Sequence, residues 1–475
     1  MSLTATHLVR FLIGAALVSL LPVAALAQMT ARIVRITGNA QQAAITAPNG
    51  ARSVAAINLS IAEGSTIETG DRVDVYVETF PGAVATIRQN SRVKLVGLRL
   101  ISAGAEAGKR SAELDLERGK IISTLDASKQ SITKYGIKTP RGVAAARGTV
   151  YGVSAVANGT SAFVVDGNIV IDLGGGQSIA IPYGQAALNN AGSASALAAQ
   201  VAASPELAAD LLAAVQVVAA NVASNTSAVG GPDVATAMLQ AVVTAVVTAL
   251  PGQAGAVVQA LVQAIVTPGS ATSGSTQTML RAVSAVTAAA VQAVTAAGGT
   301  LTQSSAAAQG AAQAVAQVAP GGAGSGTVLG LLSVIGDVAA GSAILGAGGS
   351  ANASVVTTAI VGAVNAGAAT GSGPAPTVNI VATPNNSNNT LLVTTTVSTA
   401  SGGPSASSST TISNAGVGQV TTQVTESGGT TTNTTTPPTG TPSSTNGAPS
   451  SPPPSQTITP FTPIDPAANV SPSGL

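Results

Sequence analysis

The sequence predicts a chain of three unlike regions: an all-β region, an Ala-rich α-helical region, and a Ser/Thr/Pro-rich, largely disordered tail. Three observations predict it. Of the 19 Lys and Arg residues, 18 lie in residues 1–190, as do seven of the eight Phe and Tyr residues. Residues 191–370 hold 53 alanines and no aromatic residue. From 371 onward, Ser, Thr, Gly and Pro make up 67 of 105 residues. Only the first region has enough large and charged side chains for an ordinary globular core and surface.

The first 27 residues read as a cleavable export signal. Arg10 and the amino terminus supply positive charge, Phe11–Leu21 is an apolar run, and Ala25 and Ala27 occupy small-residue positions before Gln28. That run falls short of the ~20 residues needed to span a bilayer. Cleavage is expected after Ala27. The only histidine, His7, would leave with the signal, and the sequence has no Cys and no Trp. The exported protein would therefore lack a Ser-His-Asp triad, a thiol nucleophile and an ordinary zinc site. No disulfide can form.

Residues 28–190 show the period-two alternation of half-buried strands. Examples are "VDVYVET" (73–79), "SAELDLERG" (111–119), "SITKYGIK" (131–138) and "NIVIDL" (168–173). Turn residues recur between them, as in "APNG", "TGD", "PGA" and "GGG". The spacing predicts a β-roll, a sandwich or a solenoid-like sheet. Asp166-Gly167 predicts a hairpin between "AFVV" and "NIVID", because glycine supplies the positive φ such a turn needs.

Residues 191–370 predict helices. Ser204 is a candidate cap, Pro205 fits the first helical position, and Glu206 suits the positive helix end. Leu207, Leu211, Val215, Val218 and Val222 form an apolar stripe. "AVVTAVVTAL" (241–250) and "AVVQALVQAIV" (256–266) share one pattern around Pro251-Gly252, which predicts a helical hairpin. Further helices are expected over 276–297, 303–318, 327–346 and 353–367. Residues 237–266 carry no charge, which raises membrane insertion as an alternative. The regular Thr and Gln positions and the weak transfer energy of Ala favour packing of small-residue helices on one another or on a second copy. Residues 371–427 keep strand character in "TVNIVA", "TLLVTTTVST", "STTIS" and "QVTTQVTE", which predicts β-hairpins. Residues 428–475 read as a disordered Thr/Pro-rich tail.

Candidate chemistry is sparse. Glu113, Asp115 and Glu117 alternate, so they share one strand face at about 7 Å spacing. They read as a solvated face with Leu114 and Leu116 inward. "GAEAGKRS" (104–111) resembles a phosphate loop, but its glycines are one residue too close and a strand follows. Ser131 and Lys134 would sit on opposite faces of a strand, not on one helix face. No Lys/Arg block suggests nucleic acid. No catalytic residue, cofactor or metal is expected, and the protein reads as non-enzymatic.

One stretch is more specific. "KTPRGVAAARGTVYGVSA" (138–155) resembles the T-P-x-G…R-G-T-x-[FY]-x-V segment of the FecR domain family. "IAEGSTIETGDRVDVYVETFPGAVATIRQNSRVKL", "AELDLERGKIISTL", and "AFVVDGNIVID" followed by "IPYGQAAL" resemble its other segments in order. The resemblance spans roughly 35–190. It implies an all-β periplasmic domain, with Thr139, Pro140, Gly142, Arg147, Gly148 and Thr149 as builders of a corner. The best-known members are anti-sigma regulators that sense siderophore transport, with a cytoplasmic part and a transmembrane helix. The export signal departs from that plan. The expectation is therefore an exported interaction or structural protein, periplasmic or at the cell surface of a Gram-negative-type bacterium. Its partner would be an envelope protein or polymer, with self-association through the Ala-rich helices. The alternative is a signalling accessory in FecR-type regulation of transport.

Overall fold

A computed structural model describes residues 29–100, 108–156, 159–189, 191–319, 325–347, 352–372, 375–385, 390–399, 403–413, 416–425 and 431–436. The expected export signal, residues 1–27, and residues 437–475 lie outside these residues.

The N-terminal region is β1 (Thr30–Thr37), β2 (Ala43–Thr46), β3 (Arg52–Val54), β4 (Ser60–Ala62), β5 (Thr66–Thr69), β6 (Asp74–Phe80), β7 (Ala83–Ile87), β8 (Arg92–Leu100), β9 (Arg110–Leu125), β10 (Thr133–Thr139), β11 (Gly142–Val156), β12 (Gly159–Gly174), β13 (Gln177–Pro182), β14 (Gln185–Ala187) and β15 (Ser195–Ala196). They join one barrel-like sheet whose central path runs β12-β11-β10-β9-β7-β6-β1. Pairing is antiparallel except for β9 beside β10, which run parallel. The alternation seen in the sequence is realised in β9 over 110–116, where Ala112 and Leu114 are buried between half-buried neighbours and Leu116 is fully buried.

Two expectations fail locally. Asp166-Gly167 is not a hairpin: β12 runs straight through it. Gly167 does take a positive φ of 78°, but it pairs with Thr149 inside a long ladder. Strand β11 lies on one side of β12, and β13 and β14 lie on the other, so the ladder hydrogen bonds outweigh the local turn signal. Ser131 lies in a 3-10 turn (Ala127–Ile132), and the strand begins at Thr133. Asp126 nucleates that turn by accepting from the Ser128 amide at 3.0 Å.

The helices are α1 (Leu197–Ala203), α2 (Pro205–Ala223), α3 (Pro232–Ala249), α4 (Ala254–Val266), α5 (Thr276–Ala296), α6 (Leu301–Val318), α7 (Gly326–Gly346) and α8 (Ala353–Ala368). Ser204 caps α2 by accepting from the Leu207 amide at 3.3 Å, with Pro205 at the first position. All five residues of its predicted stripe are buried. Helices alternate between two layers, so each packs chiefly on the next but one: α2 on α4, α4 on α6, α6 on α8, and α3 on α5, α5 on α7. The expected hairpin of α3 and α4 is therefore two arms in different layers. Small residues permit this. A Cβ on Gly310 of α6 would lie 2.2 Å from the Gly255 carbonyl oxygen of α4, and one on Gly367 of α8 would lie 2.5 Å from the Gln309 oxygen.

The C-terminal strands β16 (Thr377–Asn385), β17 (Thr390–Ser398), β18 (Ser405–Ser413), β19 (Gly416–Thr425) and β20 (Thr431–Thr436) form an antiparallel meander. β20 corrects the expectation of disorder from 428: its threonines pair along the otherwise open edge of β19. The edge offers unpaired backbone groups, and β-branched threonine suits a pleated strand. This sheet covers α7, which is buried at every position from Val328 to Ile344. Four helices, α2, α3, α5 and α7, are long and apolar enough to cross a membrane by length and composition.

The helices also share a core with the first sheet. Val84, Ile122, Val150, Phe163 and Val165 face the helical core, while Ala83, Ala85, Ile121, Tyr151 and Val164 face the β core. Adjacent residues on one strand thus serve opposite layers.

Candidate functional site

Strands β10 and β11 are joined by a two-residue turn, Pro140-Arg141, closed by the pair Thr139 and Gly142. Thr139 must be extended because it precedes proline. Its hydroxyl donates to the Gly142 carbonyl at 3.0 Å and accepts from the Arg141 amide at 3.3 Å. It also meets the Thr160 hydroxyl at 2.6 Å, so this buried pair ties the turn to the start of β12. Gly142 is required by close approach: a Cβ there would lie 2.5 Å from the Asp172 carbonyl oxygen.

The second half of the predicted corner is a pair of bulges. Arg147 pairs with Asn168 and Thr149 with Gly167, leaving Gly148 as the extra residue of β11. Val150 pairs with Asp166 and Tyr151 with Val164, leaving Val165 extra on β12. Offsetting bulges bend the two strands together. The structure thus places Thr139, Pro140 and Gly142 at the turn, and Arg147, Gly148 and Thr149 at a bend further along β11, rather than in one corner. The side chains of 147–149 lie outside the described residues.

Two of the other sequence candidates are engaged in ion pairs. Asp115 pairs with Lys138 at 3.5 Å, and Glu117 pairs with Arg92 at 2.6 Å. Burial pushes the Glu113 carboxyl up, against the opposing charge of Lys138. In the phosphate-loop lookalike, residues 104–107 lie outside the described set. Arg110 lies over the Phe80 ring at 5.2 Å and donates to Thr133 Oγ1 at 3.0 Å. Among the described residues, no cluster of three His, Cys, Asp or Glu residues could hold a metal ion.

Two hollows remain. One, of about 60 Å³, lies where the sheet meets α2, with Arg88, Lys120, Phe163, Ser204, Glu206 and Asp210 on its walls. Lys120 bridges both carboxylate oxygens of Asp210 at 2.8 and 2.9 Å, so these two lining charges already satisfy each other. The other, of about 310 Å³, opens beside the Pro140-Arg141 turn and is lined by Glu117, Arg118, Pro140, Arg141, Ala155, Gly159 and Thr160. Neither Arg118 nor Arg141 stands out in the sequence as a site residue. The available signal is Arg141 between Pro140 and Gly142, a turn position that must project outward.

Asp166 and the partly exposed Tyr183 lie close together at the sheet-helix junction. Burial pushes the Asp166 carboxyl up to about 7, against a hydrogen bond from the Gly167 backbone. Burial and the nearby Asp166 charge push the Tyr183 phenol up to about 12. The Tyr183 hydroxyl donates to the Ala241 carbonyl of α3 at 3.2 Å.

No curated protein matches this sequence. Two crystal structures, at 1.65 and 2.50 Å, of a candidate anti-sigma factor from Parabacteroides distasonis ATCC 8503 are similar to it at 12% identity, with TM-scores of 0.21 and 0.20. They cover 27% and 26% of this protein, which spans 57% and 54% of theirs. The family model described as FecR protein matches residues 65–170, from β5 into β12, a span that contains the Pro140-Arg141 turn and both bulges. Residues 65–170 of this protein are a FecR domain.

Proposed function

We propose that this protein acts in FecR-type signalling, as an exported, non-enzymatic accessory whose β domain contacts a partner protein of the envelope. The observation that carries the reading is the FecR match over residues 65–170. The residue inventory supports a binding role: Cys is absent, and the single His is His7, inside the expected export signal. General acid-base chemistry then falls to carboxylates that already serve ion pairs, such as Asp115 and Glu117. Deleting the protein is expected to change transcription of a transport gene set under iron limitation. An unchanged transcriptome would sink this reading.

A second reading is an interaction or structural protein of the cell envelope. It is favoured by the composition of the helical region, where residues 191–370 hold only four acidic residues and one basic residue. Affinity capture from envelope extracts is expected to enrich one partner at defined stoichiometry. Capture of nothing beyond background would remove it.

A further inference from the structure

The geometry points to a carboxylate-binding site in the hollow at the Pro140-Arg141 turn, with Arg118 and Arg141 as its two cationic arms. The ligand class is an acidic group on a partner polypeptide, either an Asp or Glu side group or a free terminal carboxylate. The assignment goes beyond the signalling reading and stands on its own observations.

Arg118 is presented by a defect in the ladder. Arg92 pairs with Arg118 and Val93 pairs with Leu116, which leaves Glu117 as an extra residue on β9. The strict alternation of β9 breaks there, and Glu117 and Arg118 are both exposed in succession. Bulges re-aim side chains in this way. The position is rigid, because Gly119 follows with a φ of 94° and its backbone lies against Ser91, where a Cβ would be 2.2 Å from the hydroxyl. Ladder pairing of Gly119 with Ala155 then sets Arg118 beside the end of β11.

Arg141 comes from a different element, a two-residue turn held by the buried Thr139–Thr160 pair. Among the described residues, neither guanidinium has a carboxylate or hydrogen-bond partner. Seven other arginines of the β domain do: Arg32, Arg52, Arg72, Arg88 and Arg92 pair with acids, Arg35 bonds Ser224 Oγ at 3.2 Å, and Arg110 bonds Thr133. Glu117, the one acid on the rim, is held by Arg92 and so does not fold onto the two arms. Two planar guanidinium forks line one hollow of about 310 Å³, and such forks are donors suited to a carboxylate. Thr160, buried behind them, fixes the floor.

The test is a titration of the full-length protein at low salt. The probes are glutarate, the acetylated and amidated tetrapeptide Gly-Asp-Glu-Gly, and inorganic phosphate, followed by the side-chain Nε–H signals of arginine. Saturable shifts of two arginine signals with glutarate and the peptide are expected. Each should be lost in Arg118→Ala or Arg141→Ala, with binding weakened about tenfold. Both side chains are exposed, so unchanged thermal unfolding is expected and controls for folding. Glu117→Gln should tighten binding, an effect no structural role of the arginines would produce. Absence of saturation, unchanged affinity in both alanine variants, or tighter binding of phosphate than of glutarate would overturn the assignment. None of these outcomes depends on whether deletion alters transcription.

Discussion

The β domain and the helical array solve the same packing problem with opposite materials. In the β domain, Ile33, Ile67, Leu95, Leu114, Leu116, Ile121 and Tyr151 fill a core of large side chains at full burial. Ion pairs such as Arg32–Glu78 at 2.9 Å line its surface. In the array, buried positions such as Ala282, Ala290, Ala307, Ala311 and Ala340 contribute little volume each. The helices compensate by approaching until backbone meets backbone, as at Gly255 and Gly310. The first core is sensitive to lost volume, and the second to added volume.

Added volume should give the largest effect. Gly310→Val places a branched side group against the Gly255 carbonyl, and neither helix can yield without moving its neighbours. A loss of about 3 kcal/mol or more is expected in urea unfolding. The same substitution at Gly252, whose nearest neighbour is a side-chain atom at 4.0 Å, is the matched control and should cost far less. Equal losses at both sites would break the comparison.

Lost volume comes next. Leu114→Ala in β9 should cost about 2–5 kcal/mol by leaving a cavity between layers that cannot close. Val283→Ala in α5, also fully buried, removes less volume among smaller neighbours and should cost less.

The pH dependence sharpens the contrast in charge. Asp337 is the sole charged residue between Arg281 and Glu426, and it is fully buried. Burial pushes its carboxyl well above the usual range, against a hydrogen bond from Thr395 Oγ1 at 2.9 Å in β17. Asp166 is likewise pushed up to about 7. A carboxyl raised in the folded state contributes most stability below its unfolded value near 4, and loses that contribution as pH climbs through the folded value. Stability should therefore fall between about pH 4 and 8. Asp337→Asn should flatten part of that slope and stabilise the protein at pH 8, on the order of 1–3 kcal/mol, since the Asp337 Oδ2 atom has no partner.

The smallest effect should come from the link between regions. Lys120→Ala removes the half-exposed pair with Asp210 and should cost about 1 kcal/mol or less, with loss of part of that cost at high salt.

Much of this was legible because it is local. The cap at Ser204, proline at 205, the alternation of 111–116 and the Pro140-Gly142 turn each act within a few residues. Their signals do not depend on what packs around them. The bend at Gly148 and Val165 was not legible, because a bulge is defined by which residue it faces across the ladder. Nor was the hollow, whose walls come from β9, the β10–β11 turn and the start of β12. Arg118 and Arg141 are 23 positions apart in sequence and come to line one hollow only through that pairing.

The amino-acid order alone set the division into a charged β region, an alanine-rich helical region and a Ser/Thr-rich end, because composition fixes how much apolar surface each segment can bury. Folding in three dimensions chose which layer each helix joins, turned Asp166-Gly167 from a hairpin into part of a bulged ladder, and drew Thr431–Thr436 into a sheet. In each case the outcome depended on backbone groups and close contacts supplied by distant segments. Short-range preference is worth less than a completed ladder or a closely packed helix pair.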